Sequence, residues 1–321
     1  MAVQGPHRFI CLVLLILVAV FFYRSTSMLS TCHSSDPVFD TITLASPSRR
    51  KHTNVPLTRI PKLADGCYHV FLDVGANIGV HNRFLFEPHL YPDSRIRKRL
   101  ERQLGQGFDN RDVCAFAFEP NPVHRARLES LSKAYQDMGW RLTTFHVGVS
   151  DSNGNMTFYH VDPNGEHNEW GFTAVRPYPK VKNLPSPKPE VVPSIRLADF
   201  IQRHVEGRTM PDTVHGVYKK PKVLMKLDVE GMEFLILPDL VVSGALCQTV
   251  DCIFYELHPG QMTFPKSTLS LHSKKGASSF IQPIIQIVQN NPNCITRFAT
   301  TGDESYLYDG MPFPAHNGTI I

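Results

Sequence analysis

Four acidic residues lie at or just after the ends of short apolar runs that have the composition of buried parallel strands. They are Asp73, Glu119, Asp228 and Glu256. Ligands of open parallel sheets bind outside the carboxyl ends of the strands, so side chains at these positions are expected to share one edge of the sheet. Ser150 and Asp151 follow a further run in the same way. The sequence therefore predicts a ligand site lined by carboxylates.

The loop after the first of these runs has the features of a nucleoside-binding turn. Its residues, within DVGANIG, are Asp73, Gly75, Ala76, Asn77 and Gly79. Glycine has no Cβ, so the backbone at the two glycines can approach a ligand closely. Glu119 is then placed to accept hydrogen bonds from ribose hydroxyls, as an acid does in dinucleotide-binding folds. The spacing is not GxGxxG, which disfavours a nicotinamide dinucleotide, and a purely structural turn is the alternative.

The candidate catalytic residues are Asp228, Glu230, Glu256 and His258. Transfer of a group to a hydroxyl needs a base that takes the hydroxyl proton, and histidine has the side-chain pKa best suited to that role at neutral pH. The spacing Glu256-x-His258 allows both side chains to face one cleft, and a structural role is the alternative for His258. Asp228 and Glu230 also suit a divalent cation, but no motif requires a metal, and no CxxC pair indicates zinc.

The apolar runs alternate with helical patterns, which predicts an α/β fold. Such alternation gives a parallel sheet that is covered by helices on both faces. A weaker pattern through Tyr306 and Tyr308 predicts a terminal antiparallel strand. The predicted inner strands cover 69–74, 115–118, 143–149, 223–227 and 250–255, and the predicted helices cover 122–134 and 195–204.

The N-terminus carries a membrane-targeting segment. Phe9 to Tyr23 is apolar without interruption, between Arg8 and Arg24. The segment is shorter than the roughly 20 residues of a full bilayer span, so a signal anchor within residues 1–24 is the prediction and a cleaved signal peptide is the alternative. The charges on its two sides do not settle its orientation.

The rest of the chain divides into a stem and one domain. Residues 25–65 are rich in Ser, Thr, Pro and basic residues and lack a sustained period, which predicts a stem. A single folded domain is expected over 66–321, with insertions near 81–112 and 176–193. The first insertion contains a basic run, for which a solvated helix face and a role at an acceptor pocket are both open. The second is rich in proline, which argues against a helix or an inner strand.

The charge and the cysteine content of the chain indicate which binding partners and which cellular compartment to expect. The formal net charge of +4 is small and is spread along the chain. Nucleic acid is therefore not expected as a partner, because phosphate binding needs a concentrated basic face. Cys247 and Cys252 are close enough in sequence to pair across a turn, although connectivity cannot be deduced from sequence. Sequons at Asn155 and Asn317 are compatible with a glycoprotein of the secretory pathway.

Six motifs are spread over most of residues 66–260. They are FLDVGANIG (71–79), FEPNP (118–122), GVSDSNG (148–154), RLADFI (196–201), KLDVEGMEFLIL (226–237) and FYELHP (254–259). Together they resemble the class I methyltransferases of the FkbM type. The resemblance implies a doubly wound, Rossmann-like fold with a mostly parallel, seven-stranded sheet in the order 3-2-1-4-5-7-6. One departure is the separation of Asp73 from Glu119, which exceeds the usual spacing of about 20 residues.

The resemblance also implies a donor and a reaction. S-adenosyl-L-methionine is the expected methyl donor, with the loop 73–79 around its amino-acid moiety, Glu119 at its ribose, and Ser150 or Asp151 near its adenine. The family's known substrates favour hydroxyl groups. The expected function is O-methylation of a hydroxyl-bearing glycan, lipid or small molecule by a single-pass membrane enzyme that faces the lumen of the Golgi or endoplasmic reticulum. A cleaved N-terminal segment would instead give a secreted enzyme.

Two other functions stay open on the sequence alone. One is a catalytically inactive lumenal interaction module that retains the fold, because fold alone does not establish activity. The other is a nicotinamide-dependent oxidoreductase, which the missing GxGxxG spacing disfavours. No pattern in the sequence predicts an oligomeric state.

Overall fold

The computed structural model describes residues 59–160, 169, 171–174, 188–258, 274–300 and 309–315, with backbone only for 274–278. These residues belong to one compact unit that begins at Arg59. Ala64, within the predicted stem, is fully buried, and its N–H donates to His204 O at 3.1 Å. The folded unit therefore includes the last residues of that predicted stem. The apolar segment 9–23 lies outside the described residues, and none of the described helices is long and apolar enough to span a membrane.

A six-stranded sheet with parallel pairing throughout forms the centre of the unit. Its strands are β1 (His69–Val74), β2 (Val113–Phe118), β3 (Arg141–Phe145), β8 (Val223–Leu227), β9 (Cys252–Tyr255) and β10 (Arg297–Thr300). Their order in the sheet is β10-β9-β8-β1-β2-β3. This confirms the predicted α/β fold with a mostly parallel sheet.

The predicted seven-stranded order is not confirmed. In the described residues β10 pairs directly with β9 and is parallel to it. The expected order 3-2-1-4-5-7-6 instead places the seventh strand between the fifth and the sixth, which correspond to β9 and β10. The pattern through Tyr306 and Tyr308 that predicted this strand falls outside the described residues.

A second sheet contains four strands, β4 (Gly148–Ser150), β5 (Gly154–His160), β6 (Phe172–Thr173) and β7 (Pro189–Arg196). Their order in the sheet is β4-β7-β5-β6. The run 143–149, predicted as one strand, divides between the two sheets, because the chain leaves β3 at Phe145 and enters β4 at Gly148. The proline-rich segment also differs from its prediction, since its last residues form β7 between β4 and β5. Pro189 and Pro193 are tolerated because this part of β7 pairs with β5 alone.

Helices and apolar side chains cover both faces of the main sheet. Val70, Leu72 and Val74 of β1 pack in one buried cluster, and Phe71 packs in a second. Burial on both faces explains why β1 is apolar without alternation. The helices are α1 (Val80–Phe86), α2 (Arg95–Leu104), α3 (Arg125–Asp137), α4 (Leu197–Phe200, continued by π-helical Ile201–Val205), α5 (Glu233–Val242) and α6 (Lys274–Asn290).

The predicted insertion 81–112 contains all but the first residue of α1, and the whole of the basic helix α2. Ser94 caps α2 by accepting a hydrogen bond from Arg97 N–H at 3.1 Å. Ile96, Leu100 and Leu104 are buried at helical spacing. The basic side chains Lys98 and Arg102 are exposed. The structure therefore supports a solvated face for the basic run.

Two disulfides link Cys67 to Cys114 and Cys247 to Cys294. The possible pairing of Cys247 with Cys252 does not occur. Cys252 is a buried free thiol in the core cluster that contains Phe71, whereas Cys247 packs against the other cluster. The sheet separates the two residues although they are close in sequence.

The buried His69 should make the stability of the fold depend on pH. Its Nδ1 accepts a hydrogen bond from Lys222 N–H at 3.1 Å, and burial lowers its pKa from 6.5 to about 4. Between these values the unfolded chain binds a proton that the folded chain excludes. The free energy of unfolding is therefore expected to fall with decreasing pH, by at most about 1.4 kcal/mol per pH unit.

Urea unfolding of the variant His69→Asn between pH 7 and pH 4 tests this, because asparagine retains an acceptor but does not titrate. Its unfolding free energy should depend less steeply on pH than that of the wild type. His89→Asn, at an exposed position, is the matched control and should keep the wild-type slope. Equal slopes in all three proteins would show that His69 does not cause the effect.

Candidate active site

The loop that follows β1 is held in a tight conformation by its glycines. Gly75 and Gly79 have φ values of 83° and 84°, in the left-handed region that favours glycine. The N–H groups of Gly75 and Ala76 both donate to Phe118 O at 3.0 Å. Asn77 also has a positive φ, of 50°, and its side chain accepts a hydrogen bond from Ile78 N–H at 2.7 Å.

The loop also makes a close backbone contact with the residue that follows β8. A Cβ added at Gly75 would lie 1.8 Å from Asp228 O, so only glycine fits there. Asp228 N–H donates to Val74 O at 3.1 Å. The ends of β1 and β8 thus bring the predicted donor loop and the predicted catalytic acids next to each other.

Glu119, predicted to bind ribose, holds the loop from the end of β2. Its Oε2 accepts from Asn77 N–H at 2.6 Å, and its Oε1 accepts from Asn121 N–H at 2.8 Å. The residue is buried. A carboxylate has about four lone-pair sites, so these two hydrogen bonds leave capacity for a ligand hydroxyl.

Asp73 is a fully buried carboxyl group at the end of β1. Its Oδ2 accepts from Asn82 Nδ2 at 2.6 Å, while its Oδ1 accepts no hydrogen bond from a described residue. Burial raises the pKa of Asp73 to about 7, and the nearby carboxylates of Asp228 and Glu119 raise it further against the opposing effects of Lys226 and Asn82. A positively charged ligand group would therefore be well matched to this carboxylate.

Lys226, the buried residue of β8 next to these acids, links the loop to Asp228. Its Nζ donates to Gly75 O and lies 3.1 Å from Asp228 Oδ2. Burial alone would lower the pKa of Lys226, but the charges of Asp228 and Asp73 raise it, so the side chain is an ammonium ion. Burial likewise favours the neutral acid at Asp228, but Lys226 and His258 outweigh it and lower the pKa of Asp228.

His258 lies among three carboxylates just beyond β9. Its Nδ1 is 3.0 Å from Glu233 Oε1, and its Nε2 is 3.7 Å from Asp228 Oδ1 and 3.9 Å from Glu230 Oε1. Glu230 has a φ of 53°, and Thr173 Oγ1 donates to its carbonyl oxygen at 2.9 Å. The structure therefore brings together three of the four predicted catalytic residues.

The sequence predicted that His258 has a pKa near neutral pH, as a general base needs, and the structure contradicts this prediction. Burial acts to lower the pKa, but the hydrogen bond to Glu233 and the charges of Glu233, Glu230 and Asp228 raise it to about 10. At neutral pH the ring is then a cation, which cannot accept a proton. The prediction overlooked Glu233, which puts a third carboxylate beside the ring.

Glu233 is the main functional residue that the sequence argument missed. It is fully buried in the first turn of α5, where its carboxylate accepts from Val229 N–H at 2.8 Å and from Gly231 N–H at 3.0 Å. These bonds shape the turn that carries Glu230. An acid in the first turn of a predicted helix is the available signal, because such acids often bind free N–H groups.

The remaining predicted residues lie at other positions. Glu256 directly follows β9, is half-buried, and its N–H donates to Leu227 O at 3.0 Å. Ser150 ends β4 and donates to Asp151 Oδ1 at 3.1 Å. Since β4 belongs to the second sheet, Ser150 and Asp151 do not follow a strand of the main sheet as expected. Their contact with an adenine ring stays a prediction.

Comparisons with known proteins point to one family. A family model described as the methyltransferase FkbM domain matches residues 73–291. Among solved structures, the chain is similar to methyltransferase FkbM from Methylobacillus flagellatus KT, with 11% sequence identity and a TM-score of 0.34. The match covers 74% of this chain and 41% of that chain, so this chain matches less than half of that protein's length. The search of curated proteins found no match.

The contact between Gly75 and Asp228 predicts a specific effect of Gly75→Ala. Gly139→Ala is the matched control, because Gly139 also has a positive φ, of 77°, but has open space around its Cβ position. Alanine in the left-handed region costs about 1–2 kcal/mol at either site. The clash at Gly75 should add about 1–3 kcal/mol. Urea unfolding of both variants measures the difference, and equal losses would contradict the close contact.

Proposed function

Because the chain belongs to the FkbM methyltransferase family, we propose that it transfers a methyl group from S-adenosyl-L-methionine to a hydroxyl group. The observation that carries this proposal is the buried Asp73 carboxylate beside the glycine loop. Its Oδ1 accepts no hydrogen bond from a described residue, and a buried polar atom that makes no hydrogen bond is costly. The ammonium of an amino-acid moiety would supply both the missing donor and an opposite charge.

The residues of the loop fit the rest of such a donor. The turn consists of Gly75, Ala76, Asn77 and Gly79. Because its glycines have no side chain, a ligand can approach the backbone closely there. Glu119 is already fixed by Asn77 and Asn121 and retains acceptor capacity for ribose hydroxyls. We assign Ser150 and Asp151 to the adenine end on the family resemblance alone.

The acids after β8 supply the chemistry that the acceptor needs. When bound, S-adenosylmethionine would supply a methyl group on its sulfonium sulfur. The acceptor oxygen would form a bond to the methyl carbon while the carbon–sulfur bond breaks, and the electron pair of that bond would stay on sulfur. The hydroxyl proton of the acceptor must then pass to a base. Asp228 Oδ2 is committed to the ion pair with Lys226, so we assign proton acceptance to Glu230. His258 positions both carboxylates, and Glu256 flanks the cluster from β9.

The proposal also includes the class of methyl acceptor and the cellular compartment of the enzyme. Two disulfides are typical of proteins that fold in an oxidising compartment, and the apolar segment Phe9 to Tyr23 suits insertion into the secretory pathway. Hydroxyl-rich glycans, lipids and small molecules are the acceptors available there. We therefore propose a membrane-anchored enzyme of the Golgi or endoplasmic reticulum lumen, with no nucleic-acid substrate.

Donor binding should depend on the ionisation of Asp73. The groups that face it are Lys226, Asp228, Glu119 and Asn82, and together with burial they give it a pKa of about 7. If the charged carboxylate binds the donor's ammonium, affinity should weaken as pH falls below 7, by at most about tenfold per pH unit. Calorimetric titration of the full chain with S-adenosylmethionine from pH 8 to pH 5.5 measures this.

Two variants separate this effect from other titrating groups. Asp73→Asn should bind the donor more weakly at pH 8 and lose most of the pH dependence. Asp93→Asn, at an exposed acid, should behave as the wild type. An unchanged affinity in Asp73→Asn would remove Asp73 from the donor site. Binding of nicotinamide dinucleotide in place of S-adenosylmethionine would overturn the proposed reaction class, and binding of neither would favour an inactive module.

Methyl transfer itself is tested by incubating the full chain with labelled donor and a panel of glycans, lipids and small alcohols. Glu230→Gln should lower the rate of transfer to the accepted substrate by about 100-fold or more, with little change in donor affinity. Glu206→Gln, at an exposed acid, is the control and should keep full activity. If Glu230→Gln and Asp228→Asn both left the rate unchanged, the catalytic assignment would be wrong.

A further inference from the structure

We infer that Asp228, Glu230 and His258 together bind one divalent metal ion at the carboxyl ends of β8 and β9. The three residues each offer one ligand atom, and these atoms all lie within 4.8 Å of one another. All three side chains are half-buried, so an ion from solvent can reach them. This binding does not depend on the proposed methyl transfer.

The spacing within the cluster fits a shared ion better than direct hydrogen bonds. His258 Nε2 lies 3.7 Å from Asp228 Oδ1 and 3.9 Å from Glu230 Oε1, whereas N–H···O bonds have N···O distances of about 2.7–3.2 Å. Nitrogen and oxygen ligands bind metal ions at about 2.0–2.2 Å, and two neighbouring ligand atoms on one ion therefore lie roughly 2.8–3.6 Å apart. The observed distances are slightly longer than this range, so small side-chain rotations would bring the three atoms onto one ion.

Glu233 supplies a second indication at the other nitrogen of the same ring. A histidine that binds a metal through one ring nitrogen commonly donates its other N–H to a carboxylate, which fixes the ring. Glu233 Oε1 lies 3.0 Å from His258 Nδ1, and Glu233 is fully buried and held by Val229 and Gly231. This contact directs Nε2 toward the two other carboxylates. The ion would displace the proton that these carboxylates otherwise hold on Nε2, since a histidine binds a metal only through a deprotonated nitrogen.

A second histidine of this chain shows what an ordinary ion-paired ring looks like. His160 Nδ1 lies 2.6 Å from Glu169 Oε2, and its Nε2 lies 3.1 Å from Glu190 Oε2. Both nitrogens are thus at hydrogen-bond distance from a carboxylate. His258 has this geometry at Nδ1 only, so the two histidines differ at the nitrogen that we assign to the metal.

The ligand chemistry indicates the class of ion. Two carboxylates suit hard divalent cations, and one imidazole adds affinity for transition metals, so Mn²⁺ is the matching probe. Three protein ligands leave coordination positions open. On the proposed function, an acceptor hydroxyl would bind at an open position beside the donor loop, and this ion would orient it for transfer. Glu230 would use one oxygen for the ion and keep the other for the proton.

Mn²⁺ titration of the full chain after treatment with a chelator tests the inference, with bound ion measured by electron paramagnetic resonance. We expect one saturable ion per chain. Glu230→Gln and His258→Gln should each weaken binding by more than tenfold. Glu233→Gln, which leaves the three ligands in place, should weaken it by about 10-fold. His160→Gln is the matched control and should bind as the wild type.

The possible outcomes distinguish a failure of the metal-binding inference from a failure of the proposed methyl transfer. Thermal unfolding and donor titration of each variant establish that it is folded and binds S-adenosylmethionine. Absence of saturable Mn²⁺ binding below about 1 mM, the weak limit for protein sites, would overturn the inference while leaving the donor proposal intact. Equal binding in the wild type and in Glu230→Gln and His258→Gln would place the ion elsewhere and also overturn it. Ion binding without donor binding would instead contradict the proposed function.

Discussion

The close contact between Gly75 and the backbone of Asp228 is the constraint on which the rest of the site depends. A Cβ at position 75 would lie 1.8 Å from Asp228 O, so the loops after β1 and β8 touch through the backbone itself. This contact is possible because β1 and β8 are neighbouring parallel strands whose carboxyl ends lie at the same edge. The glycine loop 73–79 and the acid cluster are therefore in direct backbone contact.

Charge balance around this contact explains why a lysine is buried there. An ammonium removed from water is costly unless it is paired and hydrogen-bonded. Lys226 satisfies both conditions, through Gly75 O and Asp228 Oδ2. The same charge offsets the repulsion between Asp73 and Asp228, since Lys226 acts on the pKa of Asp73 in the opposite direction to Asp228. His258 performs a similar role further along the edge, where it separates Asp228, Glu230 and Glu233.

The sequence predicted those parts of the protein whose form depends on local pattern. β1 and β8 have the predicted bounds because burial on both faces gives a continuous apolar run. The division of 143–149 between two sheets was not predictable, since both halves are equally suited to strands. Asp73 and Glu119 were identified from their places after strands, whereas Asn82 and Glu233 were missed because only tertiary contacts define their roles. The disulfide partners were unpredictable for the same reason.

Buried ion pairs of the helices next to the glycine loop 73–79 hold that loop in place. Arg83 of α1 is fully buried and forms ion pairs with Glu87 at 2.9 Å and with Asp309 at 2.7 Å. Arg127 of α3 donates to Ile78 O at 3.0 Å and pairs with the same Asp309. The loop is thus braced by two helices and by the segment around Asp309. A loop held in this way needs little ordering when a ligand arrives, and less binding free energy is lost to conformational entropy.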